Sequence, residues 1–168
     1  MGLKEQVMNM LSQGLEEELA AFVAVEPRAL RALHSRLWDP DPEMKVRASR
    51  AIACLAEAHP RLGSEFIRRT FWGLNDESGA NASCAIPALG EIGKRSPELM
   101  TPFVAPLVAI AADRGLRAAV LAALLTIATA RPRLVAPHLS GLEGFLDELD
   151  EEERALHDRL ATLCEGVH

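Results

Sequence analysis

The residues able to carry chemistry are few and widely separated along the 168-residue chain. Cys54, Cys84 and Cys164 show no CxxC or other metal-ligand spacing, and their odd number precludes a fully paired set of intramolecular disulfides. We therefore expect reduced thiols and a cytoplasmic protein. Cys84 lies near a predicted helix start, which could lower a thiol pKa. No matched histidine and aspartate accompany it, so a small buried filler is the simpler interpretation.

One helical spacing could place metal ligands on a single face. Glu153 and His157 are four residues apart, and Cys164 follows seven residues later. A solvated helix surface explains the same spacing, and the other histidines form no metal-like group. The sequence also has no glycine-rich phosphate loop before Lys-Ser or Lys-Thr and no serine in a nucleophile elbow. We therefore predict a non-enzymatic protein without metal or cofactor.

The composition predicts which elements surround these residues. Hydrophobic residues make up 49% of the chain but aromatic residues only 4%, and alanine and leucine dominate. Alanine, leucine, glutamate and arginine lose least on entering a helix, so the chain should be all-α. The most apolar stretch, residues 118–130, contains two threonines and is shorter than the roughly 20 residues that a bilayer span needs. We expect no membrane association and no signal segment.

Four segments of the sequence begin alike. They are "EPRALRALHSRLWD", "HPRLGSEFIRRTFWGLND", "SPELMTPFVAPLVAIAAD" and "RPRLVAPHLSGLEGFLDE", anchored at Pro27, Pro60, Pro97 and Pro132 with spacings of 33, 37 and 35 residues. Apolar residues recur at fixed offsets that climb by three or four on both sides of each proline, as on one buried stripe of a helix. Each unit is thus predicted as helix, proline turn, helix and a short polar joint.

The repeated xPxL turn, the second prolines Pro102 and Pro137, and an acidic joint followed by a basic residue resemble HEAT-type repeats. The acidic-to-basic pairs are Asp41 with Arg47 and Asp113 with Arg117. The resemblance implies a right-handed α-α superhelix, a HEAT-like solenoid of four to five helix pairs with about nine to ten helices. It covers residues 1–168 as one domain, with residues 3–25 as an opening helix and residues 152–164 as a closing one.

A narrower resemblance concerns "FWGLNDESG" followed by "IPALGEI". These residues are similar to a loop in small prokaryotic HEAT proteins, although Ala88 stands where glutamate is expected there. The ends of the chain also fit a repeat array, which needs polar outer surfaces. Residues 1–27 carry a net charge of −4 and residues 143–168 a net charge of −7, whereas residues 28–142 carry +5, which accounts for the total of −6. The acidic ends are predicted to be solubilising caps.

The polar stretch "NDESGANAS", residues 75–83, has two interpretations. The spacing of 37 residues places extra chain in this joint, and asparagine, aspartate, serine and glycine are the residues of caps and turns. A structural joint is therefore a sufficient explanation. A long polar loop at the edge of a solenoid could also be a contact site.

Helical spacing places Arg69, Trp72 and Asp76 off the apolar stripe of the helix that precedes this joint. The second helix of a HEAT-type unit usually lines the concave surface, and tryptophan and arginine are enriched at binding hot spots. The alternative is that Trp72 packs over the next repeat and the arginine stems cover apolar surface. The candidate partner-binding residues are Arg68, Arg69, Trp72, Asn75, Asp76, Glu77 and Ser78.

Three functions are compatible with these features. The first is a non-catalytic protein–protein interaction or scaffold module that presents a concave helical surface to a protein partner. The second follows from similarity to HEAT-like alkylpurine DNA glycosylases, but a centre of only +5 in a chain of −6 argues against nucleic acid as the partner. The third is kinship with the HEAT-like repeats of phycobilin lyases. Fold does not dictate function, and the sequence leaves the partner, pathway and oligomeric state open.

Overall fold

The protein is helical throughout in a computed structural model that describes residues 1–76 and 82–167. The all-α prediction is confirmed: about ten helices pack together, and these residues contain no strand. None of the described helices is both long enough and apolar enough to cross a bilayer. The α-helices are α1 Leu3–Ser12, α2 Glu16–Val25, α3 Ala29–Ser35, α4 Pro42–Ala58, α5 Pro60–Leu74, α6 Ile86–Arg95, α7 Pro97–Met100, α8 Val104–Ile110, α9 Arg117–Ala130, α10 Pro132–Val135 and α11 Glu151–Cys164.

Five of these helices form what we call the central row. Helices α2, α4, α6, α9 and α11 pack side by side in chain order, each against the next. Helices α5, α7 and α10 each fold back onto the row helix that precedes them in the chain, and α3 contacts both α2 and α4. Short 3-10 segments, Arg36–Trp38, Ser83–Ala85, Thr101–Phe103 and Ala136–Glu148, extend or connect the outer helices.

The proline turns recur with the same backbone conformation. The residue before each of Pro27, Pro60, Pro97 and Pro132 has φ between −135° and −120° and ψ between 58° and 80°. Its N–H closes the preceding helix by donating to the carbonyl oxygen four residues earlier, at 2.6–2.8 Å. Pro60, Pro97 and Pro132 then begin α5, α7 and α10, where proline costs no hydrogen bond. The predicted turn positions are confirmed.

The core follows the predicted stripe along the central row. Ile52 is 2% exposed, and Leu89 and Leu124, at the equivalent positions of the next two units, are fully buried. Small residues allow the helices to approach closely, since a Cβ added to Gly90 would stand 3.0 Å from the Cα of Ala123. Helices α6 and α9 are therefore held at a distance that larger side chains would not permit.

Three predicted helices are divided in the structure. The opening helix is two helices, because Gly14 adopts φ +70° and the chain turns between α1 and α2. The segment after Pro97 is interrupted at Thr101–Phe103, and the one after Pro132 becomes a run of 3-10 turns with non-helical dihedrals at Phe145. The second prolines, Pro102 and Pro137, lie at these interruptions, where they remove a helical N–H donor.

Of the three polar residues that directly precede Pro42, Pro97 and Pro102, only one caps a helix through its side chain. The carboxylate of Asp41 accepts a hydrogen bond from the N–H of Glu43 at 3.0 Å, as expected of an N-cap. The hydroxyl of Ser96 is buried and has no hydrogen-bond partner among the described residues. Ser96 closes α6 through its backbone N–H and not through its side chain. The hydroxyl of Thr101 donates back to the carbonyl oxygen of Pro97 at 2.9 Å instead of capping.

Candidate binding site

Helix α5 presents a buried face and an exposed face. Ile67 is fully buried and Phe71 is 8% exposed, whereas Trp72 is 80% exposed. The guanidinium of Arg69 lies 2.5 Å from the carboxylate of Glu65, one turn earlier on the exposed side. The prediction that Arg69 and Trp72 lie off the apolar stripe is confirmed. The alternative, in which Trp72 is buried against the next repeat, is wrong.

The other candidate residues extend this face toward the end of the helix. Arg68, Asn75 and Asp76 are exposed. The N–H of Asn75 donates to the carbonyl oxygen of Phe71 at 3.1 Å, so this residue closes α5. Glu77 and Ser78 lie outside the described residues. The structure thus places the candidate residues that it describes on the C-terminal half of one helix and at the joint that follows.

An apolar cavity of about 390 Å³ lies beside α5. It separates α5 from the segment formed by α3 and Arg36–Trp38, and sequence analysis did not predict it. Residues of α4 form its floor, and Asp76, Ala82 and Ala85 line one end. One wall is formed by Leu30, His34, Leu37 and Trp38, and the opposite wall by Glu65, Phe66, Arg69 and Thr70. The floor is formed by Ile52, Leu55 and Ala56.

Small residues explain why the cavity persists. A Cβ added to Gly63, which lines the cavity, would stand 2.6 Å from the Cβ of Ala56, so α5 already touches α4 at this point. On its other side α5 is held by the stacked rings of Phe71 and Phe103, whose centroids are 5.3 Å apart. Because α5 is fixed on both of these sides, it cannot close onto α3, and the volume between them is left open.

His34 is the main polar group of the cavity interior. Its ring lies 5.3 Å from that of Phe66, centroid to centroid, which joins the two walls. Burial lowers the pKa of His34, and the nearby charge of Arg69 lowers it further. The imidazole is therefore neutral at ordinary pH, with one nitrogen as donor and the other as acceptor.

This lowered pKa predicts an acid-sensitive contribution to stability. Above the ordinary histidine pKa of about 6.5 the ring is neutral in both folded and unfolded chains. As pH falls below that value the unfolded chain binds a proton that the folded chain resists, so folding stability decreases, by at most about 1.4 kcal/mol per pH unit. We expect His34→Phe, which keeps a ring against Phe66, to flatten the pH dependence of urea unfolding below pH 6.5. Identical slopes in the two proteins would contradict this.

A second groove is lined by charged residues of α2, α4 and α6, and ion pairs cross it. Arg95 on α6 pairs with Glu17 on α2 at 2.8 Å and also donates to Glu57 on α4. The hydrogen bonds to Glu57 and to Glu17 raise the pKa of Arg95. Burial raises the pKa of the Cys54 thiol in the same groove, which disfavours the reactive thiolate. These ion pairs fasten three helices of the central row together.

Arg117 forms a buried cluster that sequence analysis did not foresee. The residue is 1% exposed, and its guanidinium lies over the ring of Phe145 at 4.5 Å from the centroid. Its Nε donates to the carbonyl oxygen of Ala111 at 2.7 Å, and its terminal nitrogens approach the carboxylates of Glu148 and Glu153 at 3.4 and 4.0 Å. The arginine of the acidic-to-basic pair thus anchors the joint after α8 and the start of α11.

The suggested metal face on α11 has a different role. Glu153 is 6% exposed and forms a capping box with Asp150, so the prediction that it lies on a solvated surface is wrong. Cys164 is also buried, and burial raises its pKa. No group of three potential metal ligands occurs among residues 1–76 and 82–167.

Cys84 differs in part from its prediction as a buried filler. It precedes α6, in the 3-10 segment Ser83–Ala85, and it is half-buried. Burial within the core therefore accounts for only part of its side chain. Among the described residues, no basic side chain is hydrogen-bonded to this thiol.

No family model, curated protein or solved structure matches this chain.

Proposed function

We propose that this protein is a non-catalytic interaction module, a HEAT-type α-solenoid whose partner is another protein. Two observations support the repeat architecture: the recurrent turns at Pro27, Pro60, Pro97 and Pro132, and the serial packing of the central row. Solenoid repeats create extended surfaces of this kind for protein partners.

The observation that carries the proposal is the exposed face of α5. Trp72 is 80% exposed, and the Arg69 side chain, 74% exposed, lies one turn away. A large aromatic side chain exposed beside an arginine on the same helix face is available for contact with another molecule. Tryptophan and arginine are also the residues that most often dominate binding energy in protein interfaces. We therefore place the partner surface on α5 from Arg68 to Asp76.

The test is the double variant Arg69→Ala with Trp72→Ala. Partners are first captured from the native cell extract and identified, and the purified partner is then titrated by calorimetry. We expect the double variant to lose about 2 kcal/mol or more of binding free energy, because hot-spot truncations commonly cost this much. Its melting temperature should stay close to that of the wild type, since both side chains are exposed.

The matched control changes an arginine and an apolar residue on another exposed helix face. Arg159→Ala with Leu163→Ala, on α11, should leave binding intact. Undiminished binding by the α5 variant with an intact fold would remove this face from the proposal. Duplex DNA is titrated in parallel at low and moderate salt, and salt-dependent binding that is lost in Arg68→Ala would favour a polyanionic partner instead.

A further inference from the structure

The cavity beside α5 has the size and lining of a small-molecule site. Its volume of about 390 Å³ falls within the range of roughly 300–1,000 Å³ found for ligand pockets. A cavity of about 150 Å³ is enough to hold benzene, so a molecule of two or three fused rings fits here. The floor, formed by Ile52, Leu55 and Ala56, is buried and apolar. Such a surface favours a flat or compact hydrocarbon body.

The charged groups that line the cavity favour an uncharged ligand. Glu65 and Arg69 are paired at 2.5 Å, and Asp76 is exposed. An ionised group placed inside the cavity would have to break the Glu65–Arg69 pair or lie against the apolar floor, and both are unfavourable. A neutral ligand incurs neither cost.

The interior offers one specific polar contact. The Thr70 hydroxyl donates to the carbonyl oxygen of Phe66 at 2.9 Å, so its proton is already committed. His34 lines the cavity, and its imidazole makes no hydrogen bond to any described residue. A neutral imidazole provides one donor and one acceptor, which matches a hydroxyl group that also donates and accepts.

We propose that this cavity binds an uncharged, mainly aromatic or alicyclic small molecule bearing a hydroxyl group. Its rings lie against Phe66, Leu55 and Ile52, and its hydroxyl is hydrogen-bonded to His34. This site shares Arg69 and Asp76 with the exposed face of α5 on which the protein-interaction function rests, but His34, Ala82 and Ala85 line only the cavity. Variants at these three positions therefore test the cavity without changing the exposed face.

The test uses the full chain and one ring system with different head groups. N-phenyl-1-naphthylamine serves as the fluorescent reporter, and 2-naphthol, naphthalene and 2-naphthoate compete with it at pH 7.5. We expect 2-naphthol to bind about fivefold more tightly than naphthalene, as one net hydrogen bond implies. The carboxylate should bind about tenfold or more weakly than the naphthol, because its charge must be desolvated. His34→Phe should abolish the preference for 2-naphthol over naphthalene while retaining naphthalene binding.

Two filling variants address the cavity itself. Ala82→Leu and Ala85→Leu each add volume to the lining, and we expect each to weaken reporter binding by about tenfold or more because the added side chain occupies the space that the rings need. Ala122→Leu, the same change at an exposed position of α9, should leave binding unchanged. Melting temperatures show whether each variant is folded. If one filling variant does not fold, the other still provides the test.

Several outcomes would overturn the proposal. These are the absence of saturable reporter binding, tighter binding of 2-naphthoate than of 2-naphthol, or an undiminished naphthol preference in folded His34→Phe. Displacement of the reporter by an amphipathic leucine–lysine peptide but not by 2-naphthol would assign the cavity to a peptide helix. If the protein dimerises, as measured by sedimentation, and the dimer no longer binds the reporter, the cavity would be assigned to a second copy of the chain.

Discussion

Leu124→Asp is expected to leave the protein unfolded. Leu124 is fully buried on α9, between its neighbours α6 and α11 in the central row. Removing a buried leucine side chain alone commonly costs about 2–5 kcal/mol. Aspartate also places a carboxylate where no partner is available, and the combined cost approaches the 5–15 kcal/mol of total stability that is usual for a domain. Leu89→Asp, at the equivalent position of α6, should have the same effect.

Circular dichroism at 222 nm and size-exclusion chromatography measure this loss directly. Ala122→Asp, two residues away on the exposed side of α9, introduces the same carboxylate and should melt like the wild type. A cooperatively melting Leu124→Asp variant with native helix content would mean that the assigned register of α9 is wrong. The pair of variants therefore separates burial from any effect of aspartate on the helix itself.

The parts of the fold that depend on local rules could be predicted from the sequence. Proline fixes its own φ and cannot donate a hydrogen bond, so the turns at Pro60 and Pro97 follow from residue type and spacing alone. The buried stripe of Leu89 and Leu124 follows from helical periodicity. The same periodicity places Trp72 away from the apolar stripe of α5, but it left open whether the side chain packs over the next repeat, and the structure shows that it is exposed.

The parts that depend on distance between helices could not be predicted in this way. The cavity exists because Gly63 and Ala56 fix how closely α5 approaches α4, and no local pattern encodes the gap that remains beside α3. His34 looked like an isolated histidine because its neighbours in space, Phe66 and Arg69, are more than 30 residues away in sequence. The segment after Pro132 was predicted as a helix, and its conversion to a run of 3-10 turns was not foreseen.

Arg117 could be predicted in part from the sequence. Its place after the acidic joint at Asp113 was visible in the sequence as a repeat feature. Its burial was not, because the groups that cover its guanidinium beyond the local carbonyl of Ala111 come from residues about 30 positions later in the chain. They are the ring of Phe145 and the carboxylates of Glu148 and Glu153. The sequence therefore indicated a recurrent arginine, while the structure shows that this one links α9 to the start of α11.

Replacement of this arginine should be the most damaging change to a charged residue. In Arg117→Ala the carbonyl oxygen of Ala111 loses its 2.7 Å hydrogen bond, and the buried carboxylate of Glu153 loses its nearest cation. Breaking a buried charge pair from one side commonly costs about 3–5 kcal/mol, since the remaining charge is left without compensation. For a chain of this length that loss corresponds to a fall in melting temperature of roughly 6–20 °C.

Arg114 provides the matched control, because it contacts the same carboxylate from the solvent side. Arg114 lies 3.2 Å from Glu148, as Arg117 lies 3.4 Å from it, but the Arg114 side chain is 76% exposed and that of Arg117 only 2%. Exposed ion pairs contribute about 1 kcal/mol or less, so Arg114→Ala should melt close to the wild type. Equal melting temperatures for the two variants would show that the buried guanidinium adds nothing beyond a surface ion pair. A large difference, measured in the same buffer, would establish that the hydrogen bonds and burial of Arg117 hold the last two helices of the central row together.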